Sequence, residues 1–226
     1  MSKGSANKQK NGHKLLAFKY IPMDMARIVS SVLIPILRLK PVNLKGETYK
    51  EKLKGGALIA SNHTGYIDTF AVGITFWYRR LYFLAAEVVM KTKLRSFLLK
   101  GVGAIKIDRN TTDIEAIVKS VELLRKGHLL AIFPQGKIDK TNDVDSVKSG
   151  AALMAIRANV PMVPIYLAPR EKWYKSRTVV VGEKIVPSNF LVKKFPTSSD
   201  IQKITEALAG EMGRCKAAYN SNFKGE

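Results

Sequence analysis

A histidine and an aspartate stand five positions apart in the stretch SNHTGYIDTF, where His63 follows an apolar run and Asp68 comes after a glycine. An aspartate that accepts the N–H of one ring nitrogen fixes the histidine tautomer and leaves the other nitrogen basic. Such a pair can take a proton from an alcohol. The alternative interpretation is structural: a capped helix start behind a buried strand.

Other catalytic chemistries find little support in the sequence. The G-x-S-x-G pattern of a serine-hydrolase nucleophile is absent. Three scattered histidines and a single cysteine disfavour a metal site, and we expect none. Cys215 is predicted to be an inert thiol, and His13 and His128 are interpreted as structural or incidental. A histidine base without an enzyme nucleophile favours direct attack by a substrate hydroxyl.

Two further polar loops have the residues to bind an anion. Arg109 follows the strand-like stretch GAIKID, and an arginine there can hold a phosphate through a bidentate fork. Gln135, Gly136 and Lys137 follow HLLAIF and offer backbone N–H groups and an ammonium. A surface arginine and an ordinary glycine turn are the structural alternatives. Neither loop matches a nucleotide-binding glycine motif, so nucleoside triphosphates are not expected.

The residues from about 50 onward predict the scaffold that positions these loops. Short apolar runs alternate with stretches of helical periodicity, which indicates an α/β fold with a mostly parallel central sheet flanked by helices. The runs predicted as strands are GGALIA, LYFLAAE, GAIKID, HLLAIF, PMVPIYL and RTVVVGEKI. Each polar loop follows a predicted strand, so the loops are expected at the carboxyl edge of the sheet. Capping-box spacing predicts two helix starts, Thr112 with Glu115 and Ser199 with Gln202.

The amino-terminal region has a different character. The whole chain of 226 residues is basic, because its 38 Lys and Arg outnumber its 18 Asp and Glu and give a formal charge of +20. Residues 1–14 are predicted to be a disordered basic leader. Residues 15–40 are predicted to form amphipathic helices in a membrane interface, because their longest uncharged run, Ile28–Leu37, is far shorter than the roughly 20 residues of a spanning helix. The alternative is a pair of helices packed on the core of the domain that follows, residues 41–226.

Four short blocks, in order, resemble the glycerophospholipid acyltransferase family, whose best-known members are lysophosphatidate acyltransferases. The blocks are N-H-x-x-x-x-D from Asn62 to Asp68, G-x-I-x-x-x-R from Gly103 to Arg109, FPQG from Phe133 to Gly136, and V-P-I from Val163 to Ile165. The resemblance covers roughly residues 40 to 210 and implies the glycerol-3-phosphate acyltransferase-like fold. There are two departures: Gln135 replaces the glutamate of the third block, and Ile138 stands where the family often has an arginine.

The resemblance implies an O-acyltransferase of phospholipid biosynthesis. His63 is then the general base and Asp68 orients it, while Arg109, Lys106 and Lys137 are expected to hold the acceptor phosphate beside the turn at Gln135 and Gly136. The implied donor is a fatty acyl thioester of coenzyme A or acyl carrier protein, which is a co-substrate, and no cofactor is expected. The implied acceptor is the lysophospholipid 1-acyl-glycerol 3-phosphate, converted to phosphatidate.

The same features predict a location and leave alternatives open. A lipid acceptor and a basic amino-terminal region predict a peripheral or monotopic protein on the cytoplasmic face of a membrane, in contact with an anionic surface. Glycerol 3-phosphate, or another lysolipid such as a lyso-ornithine lipid, is the alternative acceptor. A non-catalytic basic protein that binds membrane or nucleic acid is the alternative from another class. No nucleic-acid partner is expected, because no helix-turn-helix, RNP-like or zinc-finger pattern is present.

Overall fold

A seven-stranded sheet forms the centre of the part of the chain that the computed structural model describes: residues 21–25, 28, 38–65, 67–108, 113–136, 138, 147–170, 176–191 and 196–223. Its strands are β1 (Leu39–Val42), β2 (Ala57–Ser61), β3 (Leu81–Ala86), β4 (Ala104–Ile107), β5 (Leu129–Ile132), β6 (Met162–Leu167) and β7 (Arg177–Val181). The order across the sheet is β1-β7-β6-β2-β5-β3-β4.

Every strand pair is parallel except β6 with β7. β2 lies at the centre, where Ile59 pairs with Ala131 of β5 and with Val163 of β6. Parallel strands must be joined by crossovers, and in this chain the crossovers carry the helices. The predicted α/β fold with a mostly parallel sheet flanked by helices is confirmed.

Helices cover both faces of the sheet. They are α1 (Ile67–Thr75), α2 (Lys93–Gly101), α3 (Ile114–Arg125), α4 (Gly150–Ala158) and α5 (Ser198–Asn222), with short 3₁₀ turns at Glu87–Met90 and Pro187–Phe190. Alternate residues of β2 point to opposite faces. Ile59 packs in a core with residues of α1, whereas Leu58 packs in a core with residues of α3, α4 and α5. With both faces covered, the carboxyl edge is where a loop can bear polar groups.

Both predicted capping boxes are wrong in position. α3 begins after Asp113, whose carboxylate accepts the Ala116 N–H at 2.9 Å; Thr112 lies outside the described residues. α5 begins after Thr197, which forms a reciprocal capping box with Asp200, while Ser199 lies inside the helix. Each start offers several hydroxyl or carboxylate side chains in succession. The residue that keeps a non-helical backbone at the helix boundary becomes the cap, and spacing alone does not identify it.

The structure divides the predicted membrane-associating segment, residues 15–40. The helical prediction is wrong for Leu39 and Lys40, which pair with β7 as part of the edge strand β1, so the predicted boundary after residue 40 falls inside a strand. Residues 21–25 are helical, as predicted, and Met23 is buried. Arg80 Nη2 lies 2.7 Å from Asp24 Oδ2, so this helical turn is tied to the domain. The leader, 1–14, lies outside the described residues.

Candidate active site

The loop that carries His63 leaves β2 at the carboxyl edge of the sheet. Asn62, the residue before it, is buried, and its side chain pairs with the backbone of Leu167 at the end of β6. The amide donates to the Leu167 carbonyl at 3.0 Å and accepts from the Leu167 N–H at 2.7 Å. These two bonds continue the β2–β6 ladder through a side chain. They fix the point at which His63 leaves the strand.

His63 and Asp68 meet as their spacing predicts. Asp68 lies in the first turn of α1, and its N–H donates to the Gly65 carbonyl at 3.1 Å, which closes the loop. His63 Nδ1 lies 3.4 Å from Asp68 Oδ2, and both side chains are buried. This separation is long for a hydrogen bond, and catalytic pairs commonly tighten only when substrate binds. Nε2 is then the ring nitrogen left for a substrate.

The Asp68 carboxylate is held on both of its oxygens. Oδ2 accepts the backbone N–H of Thr64 at 2.5 Å and that of Gly65 at 2.8 Å. Oδ1 lies 2.8 Å from Nη1 of Arg177. The loop therefore fixes one oxygen and the arginine fixes the other. A carboxylate held in this way can orient His63 without moving itself.

Arg177 is a site residue that the sequence motifs do not predict. It is buried, and besides the ion pair its Nε donates to the Ala168 carbonyl at 2.7 Å and its Nη2 lies 3.4 Å from Thr64 Oγ1. It opens β7, which runs antiparallel to β6, so the start of β7 reaches the carboxyl edge of the sheet. The only signal in the sequence is a charged residue at the head of the apolar run RTVVV. That position is typical of an exposed strand end.

The surroundings of Asp68 decide its ionisation. Burial alone would raise the pKa of Asp68, but the hydrogen bond with His63, the positive charge of Arg177 and the Gly65 N–H outweigh burial and lower the pKa to about 2. The carboxylate is therefore ionised throughout the physiological pH range. An ionised aspartate is the form that orients a histidine base and stabilises the imidazolium that forms during proton transfer.

The third sequence block packs directly on the histidine. The Phe133 ring stacks on the His63 ring, with centroids 4.0 Å apart and planes 17° apart. Ala60 of β2 pairs with Ile132 of β5, so the residues that follow the two strands are brought side by side. The stack confines one face of the imidazole. Together with Asp68 it leaves the ring little freedom to turn.

Beyond Phe133 the chain turns at Gly136. The Gly136 N–H donates to the Phe133 carbonyl at 2.9 Å, and Gly136 has a φ of 72°, which glycine adopts without strain. Gln135 is buried within this turn. Lys148 donates its N–H to the Pro134 carbonyl at 3.1 Å, and its Nζ would lie 3.2 Å from a Cβ atom built on Gly136. Lys148, which the sequence analysis did not single out, thus adds a cation beside the turn.

Lys106 lies farther from the histidine. It is on β4, three strands from β2 in the sheet order, which is roughly 14 Å at ordinary strand spacing. Its Nζ lies 2.5 Å from Glu87 Oε1, and this carboxylate raises the pKa of the exposed Lys106. A phosphate would have to compete with Glu87. Arg109 and Lys137 lie outside the described residues, so phosphate binding by all three remains a prediction.

The remaining reactive side chains lie away from this edge. Cys215 is buried in the core, and burial followed by the charge of Glu211 raises the pKa of its thiol to about 12, which agrees with the prediction of an inert thiol. His128 precedes β5 at the opposite edge and packs edge-on against Tyr82 at 5.2 Å; His13 is not among the described residues. Within the described part of the chain, no three His, Cys, Asp or Glu residues are grouped to hold a metal.

Comparison with known proteins gives a consistent picture. The Acyltransferase family model matches residues 41–168. The 1-acyl-sn-glycerol-3-phosphate acyltransferase of Bacillus subtilis is 27% identical over 158 residues, which cover 68% of this chain and 77% of the relative. A probable 1-acyl-sn-glycerol-3-phosphate acyltransferase of Mycoplasma pneumoniae is 28% identical over 189 residues, which cover 74% of this chain and 68% of the relative.

The fold is also similar to that of a solved acyltransferase structure. The 1-acyl-sn-glycerophosphate acyltransferase PlsC from Thermotoga maritima superimposes with a TM-score of 0.56 at 15% identity, covering 84% of this chain and 79% of that chain. At this identity the likeness concerns the fold. In the described part of the present chain, no helix is both long and apolar enough to cross a bilayer.

Proposed function

The chain belongs to the acyltransferase family, and we propose that it transfers a fatty acyl group to the free hydroxyl of 1-acyl-glycerol 3-phosphate, giving phosphatidate. The names of its relatives support this acceptor. The structural observation that carries the proposal is the buried His63–Asp68 pair at the carboxyl edge of the sheet, with Asp68 ionised and clamped by Arg177.

The chemistry follows from the geometry of this pair. Nε2 of His63 takes the proton of the acceptor hydroxyl as the oxygen attacks the thioester carbonyl carbon. Asp68 holds the N–H at Nδ1 and stabilises the imidazolium. The tetrahedral intermediate collapses with cleavage of the carbon–sulfur bond, and the leaving thiolate takes the proton from His63. No enzyme nucleophile takes part, since the buried Cys215 belongs to the core.

The acceptor phosphate would be held by cations around the same edge. Arg109, Lys106 and Lys137 are the residues proposed from the sequence, and Lys148 joins them because its ammonium lies beside the Gly136 turn. That turn follows Phe133, which stacks on His63. A phosphate near Gly136 would therefore place the neighbouring glycerol carbons, and the free hydroxyl, close to the base.

The donor is proposed to be acyl-coenzyme A or acyl carrier protein, each of which carries the same thioester. Neither a metal nor a bound cofactor enters the proposed chemistry. The acceptor is a membrane lipid, so the protein is proposed to work as a peripheral or monotopic protein at an anionic membrane surface, on the cytoplasmic face where acyl thioesters are made. The formal charge of +20 supports contact with anionic lipid.

The alternative functions have less support. The names of both relatives specify 1-acyl-sn-glycerol 3-phosphate as the acceptor. Neither name specifies unacylated glycerol 3-phosphate or an ornithine lipid. A non-catalytic binding protein would not need a buried histidine clamped to an ionised aspartate.

An acceptor panel tests the proposal. Purified protein is given radiolabelled acyl-coenzyme A or acyl carrier protein with each acceptor in turn, and labelled lipids are separated by thin-layer chromatography. Phosphatidate formed faster than any other product supports the proposal; preferential acylation of another acceptor contradicts it.

A further inference from the structure

The helix α2 is packed differently from the other described helices. Each of the other α-helices with a described span buries several side chains, whereas α2 buries none. Of its apolar residues, only the partly buried Leu99 packs against the small core of Ala85, Met90 and Ala104. The helix therefore lies on the domain with most of its surface open.

The open surface of α2 carries an apolar stripe. Leu94, Phe97 and Leu98 are 68%, 74% and 56% exposed. Their i, i+3, i+4 spacing places all three on one face of the helix. A single exposed leucine on a soluble protein needs no explanation. Three large apolar side chains on one short helix form a patch, and such patches commonly mark contact surfaces.

Basic residues border the stripe. Lys93 and Lys100 lie on one side of it and Arg95 on the other, at about 100° per residue around the helix axis, and Lys91 precedes the helix. All four side chains are exposed, and α2 contains no acidic residue. Within the described part of the chain, none of the four has an ion-pair partner. An apolar stripe between unpaired cations is the pattern of a helix that lies in an anionic lipid interface.

The patch continues into the amino-terminal helical turn. A Cβ atom built on Gly101, at the end of α2, would lie 3.3 Å from Pro22 Cβ, so the two segments are in contact. Ile21 and Met25 of the same turn are exposed apolar residues. The start of α2 follows β3 through the 3₁₀ turn, at the edge of the sheet where His63 lies. α2 thus connects the turn at residues 21–25 with the catalytic edge.

We propose that the face of Leu94, Phe97 and Leu98 inserts into the headgroup region of an anionic bilayer, with Lys91, Lys93, Arg95 and Lys100 binding lipid phosphates. α2 is then a membrane contact of the catalytic domain itself, next to the turn at residues 21–25 of the segment 15–40. The proposal rests on the proposed function only in that a lipid acceptor requires the enzyme to sit on a bilayer. It assigns that contact to particular residues.

Vesicle binding by the full-length protein tests the assignment. The apolar variant is Leu94→Gln/Phe97→Gln/Leu98→Gln, and its matched control is Ile114→Gln/Val118→Gln on the exposed face of α3. The basic variant is Lys93→Gln/Arg95→Gln/Lys100→Gln, and its matched control is Lys50→Gln/Lys52→Gln/Lys54→Gln, three exposed lysines elsewhere. Co-sedimentation is measured with vesicles of phosphatidylcholine and phosphatidylglycerol at 3:1, and with phosphatidylcholine alone.

We expect the apolar variant to bind the mixed vesicles at least tenfold more weakly than wild type. The basic variant should lose on the order of fivefold per removed charge, on the anionic vesicles only. Both controls should stay within about twofold of wild type. A folded apolar variant that binds within twofold of wild type overturns the proposal. The proposal is also overturned if wild type is a dimer in solution and the apolar variant is not, because the face is then an interface between copies. It is overturned too if the apolar variant melts at a lower temperature but binds vesicles as wild type does, because the chain's own residues then cover the face.

A labelling experiment covers the case in which the triple variant does not fold. Phe97→Cys can be labelled selectively with an environment-sensitive dye, because Cys215 is buried in the core and the pKa of its thiol is raised. We expect the fluorescence to shift to the blue on anionic vesicles, with no shift for a label at Val118→Cys; equal behaviour of the two labels overturns the proposal.

Acylation of a dispersed short-chain acceptor distinguishes the proposed membrane contact from the proposed function. If wild type binds vesicles through α2 but acylates no lysophosphatidate, the proposed function fails and the docking assignment stands.

Discussion

Two regions along the sheet's carboxyl edge are built in opposite ways. Around β2, β5 and β7, the polar side chains of His63, Asp68 and Arg177 are buried and bonded to one another or to loop backbone. Around β3 and β4, the ion pair of Lys106 and Glu87 is exposed, and α2 buries no side chain. The first region is suited to hold reacting groups in one geometry. The second is suited to meet large partners that arrive from outside.

The sharpest test of this contrast is loss of the base. His63→Ala and Asp68→Ala are each expected to abolish transfer while leaving the fold intact, because general base catalysis is worth roughly 10²–10⁴-fold and orientation adds to it. Initial rates of phosphatidate formation measure the effect, with circular dichroism as the check on folding. His128→Ala is the matched control and should keep wild-type activity, since His128 lies at the opposite edge against Tyr82.

Replacing Arg177 should have the next largest effect. Arg177→Gln removes the ion pair at Asp68 Oδ1 and leaves the imidazole less firmly oriented. We expect kcat to fall by about a hundredfold, the order of loss that a small misplacement of a catalytic group causes, with little change in the Michaelis constant of either substrate. Arg177→Lys should recover part of the loss. A change confined to a Michaelis constant would make Arg177 a binding residue instead.

The same variant has a signature in acid. The pKa of Asp68 is lowered from 3.8 to about 2, so its ionised form stabilises the fold above about pH 4, and this contribution is lost as the pH falls toward 2. Without the charge of Arg177 the pKa of Asp68 is higher, and the loss should begin at higher pH. Urea unfolding between pH 2 and pH 6 measures it. Identical acid limbs for wild type and Arg177→Gln would show that the arginine does not set the ionisation of Asp68.

Arg109→Ala tests the side of the site that meets the acceptor. The loss of a charge-assisted phosphate contact is worth about 1.5–3 kcal/mol, so the Michaelis constant for the lysophospholipid should rise about tenfold or more while that for the donor changes little. Steady-state kinetics with each substrate varied in turn give the two constants. A raised donor constant beside an unchanged acceptor constant would move Arg109 to the donor site.

The smallest effect is expected at Lys106. Its partner Glu87 is exposed, and solvent screens an exposed ion pair so strongly that it contributes little to stability. Lys106→Gln should therefore leave the melting temperature nearly unchanged and alter the acceptor constant by only a few fold. Glu87→Gln is the matched variant, which frees the ammonium and should lower the acceptor constant if Lys106 binds phosphate. A loss at Lys106 as large as that at His63 would erase the contrast between the two regions.

Local patterns predicted most of the scaffold. Apolar runs identified six of the strands, because a buried strand in a parallel sheet is almost continuously apolar. β1 was missed because it is an edge strand of four residues that contains a lysine and a proline and directly follows an apolar segment. The cap of α5 was misplaced because Thr197, Ser198 and Ser199 are all capping residue types, and only the folded backbone selects among them.

The site was predicted as far as its residues are close in sequence. His63 and Asp68 are separated by one turn, so their contact could be inferred from spacing. Arg177 reaches Asp68 only because β7 runs antiparallel beside β6, and Lys148 lies beside Gly136 although the two are distant in sequence. Such contacts depend on tertiary topology. The sequence of a single chain does not reveal them.

The central claim is that the acceptor hydroxyl attacks the donor thioester directly, with His63 as the base. Thiol release from acyl-coenzyme A, or from acyl carrier protein if that is the donor, tests it most directly. Release is followed with and without lysophosphatidate for wild type and for purified, folded His63→Ala. We expect rapid release from wild type only when lysophosphatidate is present, and a rate at least a hundredfold lower from His63→Ala. Release by His63→Ala within about tenfold of wild type, or equal release by wild type without acceptor, would contradict it.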